Sequence, residues 1–141
     1  MIINIDFDGT CVTHSFPGVG ESIGAEAVLK KLTDKGHKLI LFTMRSNRLT
    51  FSKIDEAIVP DNQGRFLNDA IRWFLDHNIP LWGVNTNPDQ HFWTESPKSY
   101  AELMIDDSAL GCPLKFDPAI SKRPFADWQK IESLLIQQGI L

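Results

Sequence analysis

The chain has little of what marks a secreted or membrane-spanning protein. It carries only two cysteines, Cys11 and Cys112, and their spacing fits neither a disulfide framework nor a zinc motif. No apolar run approaches the ~18 residues that a membrane span needs. Residues 1–6 lack the basic and apolar segments of a secretory signal. We therefore expect a cytoplasmic protein with reduced thiols and no membrane partner.

Positive charge is also scarce. The 141 residues include 14 lysines and arginines against 18 acids, which gives a net charge of −4. The chain therefore lacks the excess of positive charge that is typical of proteins that bind nucleic acid. With 43% apolar and 23% charged residues, the composition is that of one globular domain and excludes disorder and coiled coil. An acidic protein can still act on an anionic substrate if local groups reverse the sign of the charge.

Short apolar runs alternate with segments of helical periodicity along the chain. The predicted strands are residues 2–5, 39–42, 81–84, 103–105 and 114–116, and the predicted helices are residues 23–35, 66–77 and 125–138. The first two runs are almost entirely apolar, which is typical of strands covered on both faces. The alternation predicts a single α/β domain with three layers: a Rossmann-like, mainly parallel five-stranded sheet with helices on both faces.

Polar clusters follow three of the predicted strands. Strand one ends in Asp6-Phe7-Asp8, strand two in Thr43-Met44-Arg45, and strand four in Asp106-Asp107. Ligands of parallel α/β sheets bind outside the carboxyl ends of the strands. We therefore expect these three clusters to form one site.

Four carboxylates at one sheet edge repel each other, and a bound divalent cation relieves that repulsion. Oxygen-only ligands in small number favour Mg²⁺ over Ca²⁺. The ion would also make an acidic site attractive to a phosphate group. The sequence thus predicts a Mg²⁺ cofactor and a phosphorylated substrate.

The residue types at this edge suit phosphoryl transfer. Asp6 and Asp8 are two residues apart, so both face the same side of an extended segment. One of them can attack phosphorus while the other transfers protons. Thr43 offers a hydroxyl and a backbone N–H to phosphoryl oxygens, and Lys98 can neutralise charge on the nucleophile and the transferred group.

Four motifs in this order resemble the signatures of the haloacid dehalogenase-like (HAD) hydrolases. They are Asp6-Phe7-Asp8-Gly9-Thr10, Leu41-Phe42-Thr43, Lys98, and Ile105-Asp106-Asp107. The resemblance covers nearly the whole chain and implies the HAD-like fold.

The resemblance also implies roles for the acids. Asp6 would be the nucleophile and a Mg²⁺ ligand, and Asp8 the general acid and base, with its main-chain carbonyl on the metal. Asp107 would bind the metal directly, and Asp106 either through water or by supporting the direct ligands from outside them. An aspartate at position 8 is what the phosphatases of the family carry.

Substrate contacts are predicted beside these motifs. The candidate substrate-binding residues are Gly9, Thr10, Met44 and Arg45, although a surface salt bridge is the alternative for Arg45. In the neighbouring loops, His14 could touch the substrate or be merely exposed, and Trp93 could line the site or pack elsewhere.

The two gaps in which this family carries cap domains are short here, so the chain resembles the capless branch. In that branch a neighbouring subunit often closes the site, and a homo-oligomer is therefore one expectation. Residues 47–64 form either a long loop or a small lid.

The leading hypothesis is a Mg²⁺-dependent phosphatase that hydrolyses phosphate monoesters through an aspartyl-phosphate. Alternatives are a phosphotransferase of the same fold and a non-catalytic phosphate- or metal-binding protein. A receiver-type signalling module is disfavoured because strand three ends in Val84-Asn85-Thr86-Asn87, without the aspartate that such modules phosphorylate.

Overall fold

A computed structural model describes residues 1–47, 50–54, 57–62 and 64–141, the two middle ranges by their backbone alone. The described helices are α1 (Ala25–Asp34), α2 (Phe66–Asp76) and α3 (Trp128–Gln137). The described strands are β1 (Ile2–Ile5), β2 (Lys38–Leu41), β3 (Thr50–Ile54), β4 (Ala57–Asn62), β5 (Gly83–Val84), β6 (Leu103–Ile105), β7 (Leu114–Lys115) and β8 (Phe125–Ala126).

The central sheet is parallel and has four strands in the order β5-β2-β1-β6. The α/β class and the parallel sheet are therefore confirmed. The prediction of a fifth strand in this sheet was wrong, because β7 pairs antiparallel with β8 in a sheet of its own. Residues 125 and 126, expected to begin the last helix, form β8 instead.

The helices form where apolar residues recur at helical spacing, and they bury those residues. Helix α1 buries Val28, Leu29 and Leu32, and it ends before Gly36, whose φ of +87° is the left-handed conformation that favours glycine at a helix end. Helix α3 begins at the side chain of Asp127, which accepts a hydrogen bond from the backbone N–H of Lys130.

The three helices share one face of the sheet. Ile3 and Ile5 of β1 belong to the same buried cluster as the inner residues of α1, α2 and α3. Alternation along the strand turns Asn4 to the opposite face, where its side chain donates to the carbonyl of Ser99 at 3.2 Å. The expectation of helices on both faces was wrong: residues 85–102 cover that second face and contain only the 3₁₀ helix Gln90–Phe92.

Residues 47–64 are not a plain loop. Within them, β3 and β4 form an antiparallel pair that leads into the start of α2. Whether this pair serves as a lid depends on side chains that lie outside the described part of the chain.

The remaining elements tie the C-terminal part of the chain to the loop after β1. The backbone N–H of Ala126 in β8 donates to the carbonyl of Gly9 at 2.8 Å, and the indole N–H of Trp128 donates to the carbonyl of Thr10 at 2.6 Å. The loop after β1 is therefore held from behind by β8 and α3.

Both cysteines are free, as the sequence predicts. Burial raises the pKa of the Cys11 thiol well above its usual range. Among the helices that the structure describes, none is long and apolar enough to cross a bilayer.

Candidate functional site

The parallel pairing of β1 with β6 brings two acids to the same edge. Ile5 lies beside Ile105 in the register, and the backbone N–H of Asp6 donates to the carbonyl of Ile105 at 3.0 Å. Asp6 directly follows the last residue of β1, and Asp106 directly follows the last residue of β6. The acids expected at neighbouring strand ends are therefore held together by backbone pairing.

Three carboxylates form an acidic cluster: Asp6, Asp106 and Asp107. One oxygen from each lies within 4.8 Å of the others, and all three residues are half-buried. Oxygen donors at this spacing are the ligand type that a hard divalent cation takes. The cluster can hold a metal ion, and both Asp106 and Asp107 lie close enough to take part.

The cluster is electrostatically costly for Asp6. Burial raises the pKa of Asp6 from 3.8 to about 7, and the negative charges of Asp106 and Asp107 add to the rise. Hydrogen bonds from the backbone N–H of Phe7 and the hydroxyl of Thr10 oppose it. Without a counter-charge, a substantial share of Asp6 therefore stays protonated near neutral pH, although a nucleophile needs the ionised form.

Thr10 connects the two strand ends from a fully buried position. Its hydroxyl lies 3.0 Å from Oδ2 of Asp6 and 3.4 Å from Oδ1 of Asp107, and it accepts the backbone N–H of Asp107 at 2.9 Å. Thr10 was expected to bind substrate. Its burial and these contacts instead make it a residue that positions the acidic cluster.

His14 joins the cluster from the loop after β1. Its Nε2 lies 3.0 Å from Oδ2 of Asp107. The approach is possible because residue 9 is glycine: a Cβ there would lie 2.2 Å from Nε2 of His14 and 2.7 Å from Oδ2 of Asp107. The sequence placed His14 in the right loop, but nothing in it pointed to this contact.

Asp8 is not part of the acidic cluster and pairs with Arg45. Nε of Arg45 donates to Oδ2 of Asp8 and one terminal nitrogen donates to Oδ1, both at 2.7 Å. Such a two-point pair fixes the plane of the carboxylate as well as its position. Asp8 and Asp6 therefore sit in different electrostatic surroundings although they are two residues apart.

Arg45 was expected to bind substrate or to form a surface salt bridge. The residue is only 3% exposed, and its guanidinium also donates to the carbonyls of Pro17, Gly18 and Phe66. The salt bridge with Asp8 is therefore made by a buried arginine and not by a surface one, and Arg45 holds the Asp8 carboxylate in place.

The end of β2 carries the other expected substrate groups. The backbone N–H of Thr43 donates to Oδ1 of Asn85 at 2.7 Å, and the Thr43 hydroxyl accepts the backbone N–H of Arg45 at 3.2 Å. Met44 is 99% exposed. Asn85, which follows β5 with a φ of +56°, was missed from the sequence, although asparagine favours that conformation.

The structure does not bring Lys98 to Asp6. Its side chain is exposed, and within the described residues its ammonium group forms no ion pair. Lys98 lines a cavity of about 610 Å³ with Trp93 and Tyr100 on the second face of the sheet, and none of the four acids lines that cavity. The expected neutralisation of Asp6 by Lys98 is therefore not seen.

Comparison with known proteins finds a solved structure of similar architecture but indicates no activity. No family model matches the chain, and no curated protein matches it at a significant level. The chain is similar to a solved structure described as that of a conserved protein coded by a locus from Bacteroides thetaiotaomicron. The two are 29% identical with a TM-score of 0.69, over 98% of this chain and 91% of that one. That description names no reaction, so the likeness supports the α/β architecture alone.

Proposed function

We propose that the protein is a Mg²⁺-dependent phosphatase that hydrolyses phosphate monoesters through an aspartyl-phosphate on Asp6. One observation carries the proposal: the two acids after β1 are separated into two environments. Asp6 lies in the acidic cluster, whereas Asp8 is held by Arg45. A cation bound in that cluster would favour the ionised form of Asp6, which a nucleophile needs.

Asp6, Asp106 and Asp107 would hold the metal ion. The fit is supported by the raised pKa of Asp6, to which the charges of the other two carboxylates contribute, because a cation among them lowers the cost of ionising Asp6. When bound, Mg²⁺ supplies positive charge for the phosphoryl oxygens and orients the phosphate for in-line attack.

In the first half of the proposed reaction, an Oδ of ionised Asp6 attacks phosphorus and forms the acyl-phosphate bond. The ester P–O bond breaks. Asp8, which has taken a proton from solvent on one oxygen while the other keeps its hydrogen bond from Arg45, gives that proton to the departing oxygen. Thr43 lies at the same sheet edge through the pairing of β2 with β1, and its hydroxyl contacts a phosphoryl oxygen. Arg45 keeps the Asp8 carboxyl oriented throughout.

In the second half, Asp8 takes a proton from a water molecule, which attacks the same phosphorus atom. The bond between phosphorus and Asp6 then breaks, so inorganic phosphate leaves and Asp6 is again a carboxylate. The reaction consumes one water and one phosphate ester and releases one alcohol and one phosphate.

The arrangement supports membership of the HAD-like hydrolases, with two departures. Asp6, Asp8, Thr43 and the pair Asp106-Asp107 occupy strand ends in the order that the family's signatures have. The departures are the remote Lys98 and the buried Arg45. We propose that the metal ion supplies the positive charge expected of Lys98.

Replacing the proposed nucleophile tests the reaction class. We expect Asp6→Asn to lower kcat for p-nitrophenyl phosphate with Mg²⁺ by at least about a thousandfold, because the amide keeps the shape but lacks the nucleophilic charge. Asp76→Asn, at the exposed end of α2, is the control and should match the wild type. Near wild-type turnover by Asp6→Asn would overturn the proposal.

The raised pKa of Asp6 predicts a pH-dependent stability for the metal-free protein. Between about pH 4 and 7 the folded state binds the Asp6 proton and the unfolded state does not, so the free energy of unfolding falls across this range and levels off above about pH 7. At pH 8 in chelator, Asp6→Asn should be more stable than the wild type by about 1–2 kcal/mol, after allowance for partial exposure. At pH 4 the difference should be small.

Thermal denaturation with and without Mg²⁺ measures this effect. At pH 8, Mg²⁺ should raise the Tm of the wild type more than that of Asp6→Asn, because the ion binds the folded state through the missing carboxylate. Asp76→Asn should follow the wild type at every pH. Equal Mg²⁺ shifts in wild type and Asp6→Asn would contradict the metal site.

The pairing of Arg45 with Asp8 predicts a leaving-group effect. Arg45→Lys keeps the charge but loses the two-point geometry, so proton transfer by Asp8 should suffer. We expect kcat to fall about tenfold or more with an alkyl phosphate, and less with p-nitrophenyl phosphate, whose leaving group needs little protonation. Arg72→Lys, exposed on α2, is the control. An equal loss on both substrates would mean that Arg45 has only a structural role.

A further inference from the structure

A cavity of about 610 Å³ opens between two loops beside the acidic cluster. Residues 14–16 of the loop after β1 form one wall, and residues 118–123 of the β7–β8 connection form the other. Residues 118–123 contain none of the residues assigned to the candidate site, and none of the motifs that resemble HAD signatures lies in this loop.

The cavity adjoins the candidate site at His14. One side of His14 contacts Asp107 at 3.0 Å, and the residue also lines the cavity. The second wall is held in place by β8, since the N–H of Ala126 donates to the carbonyl of Gly9. A substrate whose phosphate lies at the acidic cluster therefore has this cavity as a neighbouring space for the rest of the molecule.

Two cations stand on the second wall, Lys122 and Arg123. Both are exposed, and neither has an ion-pair partner among the described residues. Their loop is ordered by its own hydrogen bonds: the backbone N–H of Ala119 donates to Oδ1 of Asp117 at 2.9 Å, and the buried hydroxyl of Ser121 donates to the carbonyl of Arg123 at 2.8 Å. A chain of net charge −4 thus presents two adjacent unpaired cations beside its acidic site.

Two apolar side chains line the same cavity as the cations. Phe16 on the first wall and Ile120 on the second are 57% and 40% exposed, and both line the cavity. Phe16 is supported from behind by edge-to-face contact with Phe66 at 5.1 Å and by the guanidinium of Arg45 at 5.3 Å. Its ring is therefore held as part of the wall.

We propose that this cavity, the cationic cleft, binds a second anionic group of the substrate. The inference rests on the proposed phosphatase activity and narrows it to one class: phosphate monoesters that carry another phosphate or a carboxylate beyond a short apolar spacer. The spacer lies against Phe16 and Ile120, and the second anion pairs with Lys122 and Arg123. Pairs of exposed charges attract weakly one by one, but two cations on one anion act together.

Calorimetry with non-hydrolysable ligands tests the cleft without relying on turnover. The probes are α,ω-alkane diphosphonates of graded chain length, ω-phosphonocarboxylates of the same lengths, and methylphosphonate, each with Mg²⁺. We expect wild-type protein to bind the best two-anion probe about tenfold more tightly than methylphosphonate, as two partly exposed ion pairs allow. The better of the two probe series identifies the second anion as phosphate or carboxylate.

The variant Lys122→Ala/Arg123→Ala should lose this preference, and so should the wild type at high salt. The charge-matched control is Lys35→Ala/Arg72→Ala, on exposed positions of two helices away from the cleft, which should keep the preference. Equal affinity of wild type for one-anion and two-anion probes, or a preference that survives in Lys122→Ala/Arg123→Ala, would overturn the proposal. Failure of the wild type to bind any two-anion probe would overturn it too.

Turnover assays separate this inference from the proposed function. We compare kcat/KM for a phosphate ester that carries a second anion with kcat/KM for an ester that does not. The ratio of the first value to the second should fall about tenfold in Lys122→Ala/Arg123→Ala, chiefly because KM for the two-anion ester rises. If no ester is hydrolysed, the phosphatase proposal fails, while the calorimetric preference still decides whether the cleft binds a second anion.

Discussion

The structure depends on parallel pairing between β1 and β6, which places Asp6 and Asp106 at one edge in equivalent positions. Burial raises the pKa of Asp6 to about 7, and the negative charges of Asp106 and Asp107, which this edge of the sheet brings close, add to the rise. Neighbouring side chains offset part of the cost of holding these negative charges together. Thr10 is shared between Asp6 and Asp107, His14 approaches Asp107, and a cation among the three carboxylates would remove most of the remaining penalty.

Asp8, in the same loop, has different neighbours from Asp6. A side chain two residues from Asp6 would be expected to add a fourth charge to the cluster, and Arg45 draws it away into a buried two-point pair. Arg45 also fixes the carbonyls of Pro17 and Gly18, so the wall of the cationic cleft and the proposed acid/base residue share one support.

Much of the site could be predicted from sequence because it follows from periodicity. Short apolar runs identified the four strands of the sheet, and acids directly after two of them had to meet once those strands paired in parallel. Residues in long connections could not be placed in this way. Lys98 lies on the second face of the sheet because residues 85–102 cross that face without forming an α-helix. Arg45 is buried because Asp8 and two loop carbonyls surround it, which no local pattern reveals. The strand at β7 was predicted within residues 114–116, but β8 has only two residues and was read as the start of the last helix, so the pairing of β7 with β8 was missed.

The central claim is that Asp6 becomes covalently phosphorylated during turnover. Acid quenching during hydrolysis of a phosphate ester with Mg²⁺, followed by borohydride reduction, converts an aspartyl-phosphate to homoserine, which peptide mass spectrometry can locate. We predict homoserine at position 6, increasing with substrate concentration and absent without Mg²⁺. Turnover without homoserine at position 6, or with homoserine at position 8 instead, would contradict the assignment of Asp6 as the nucleophile.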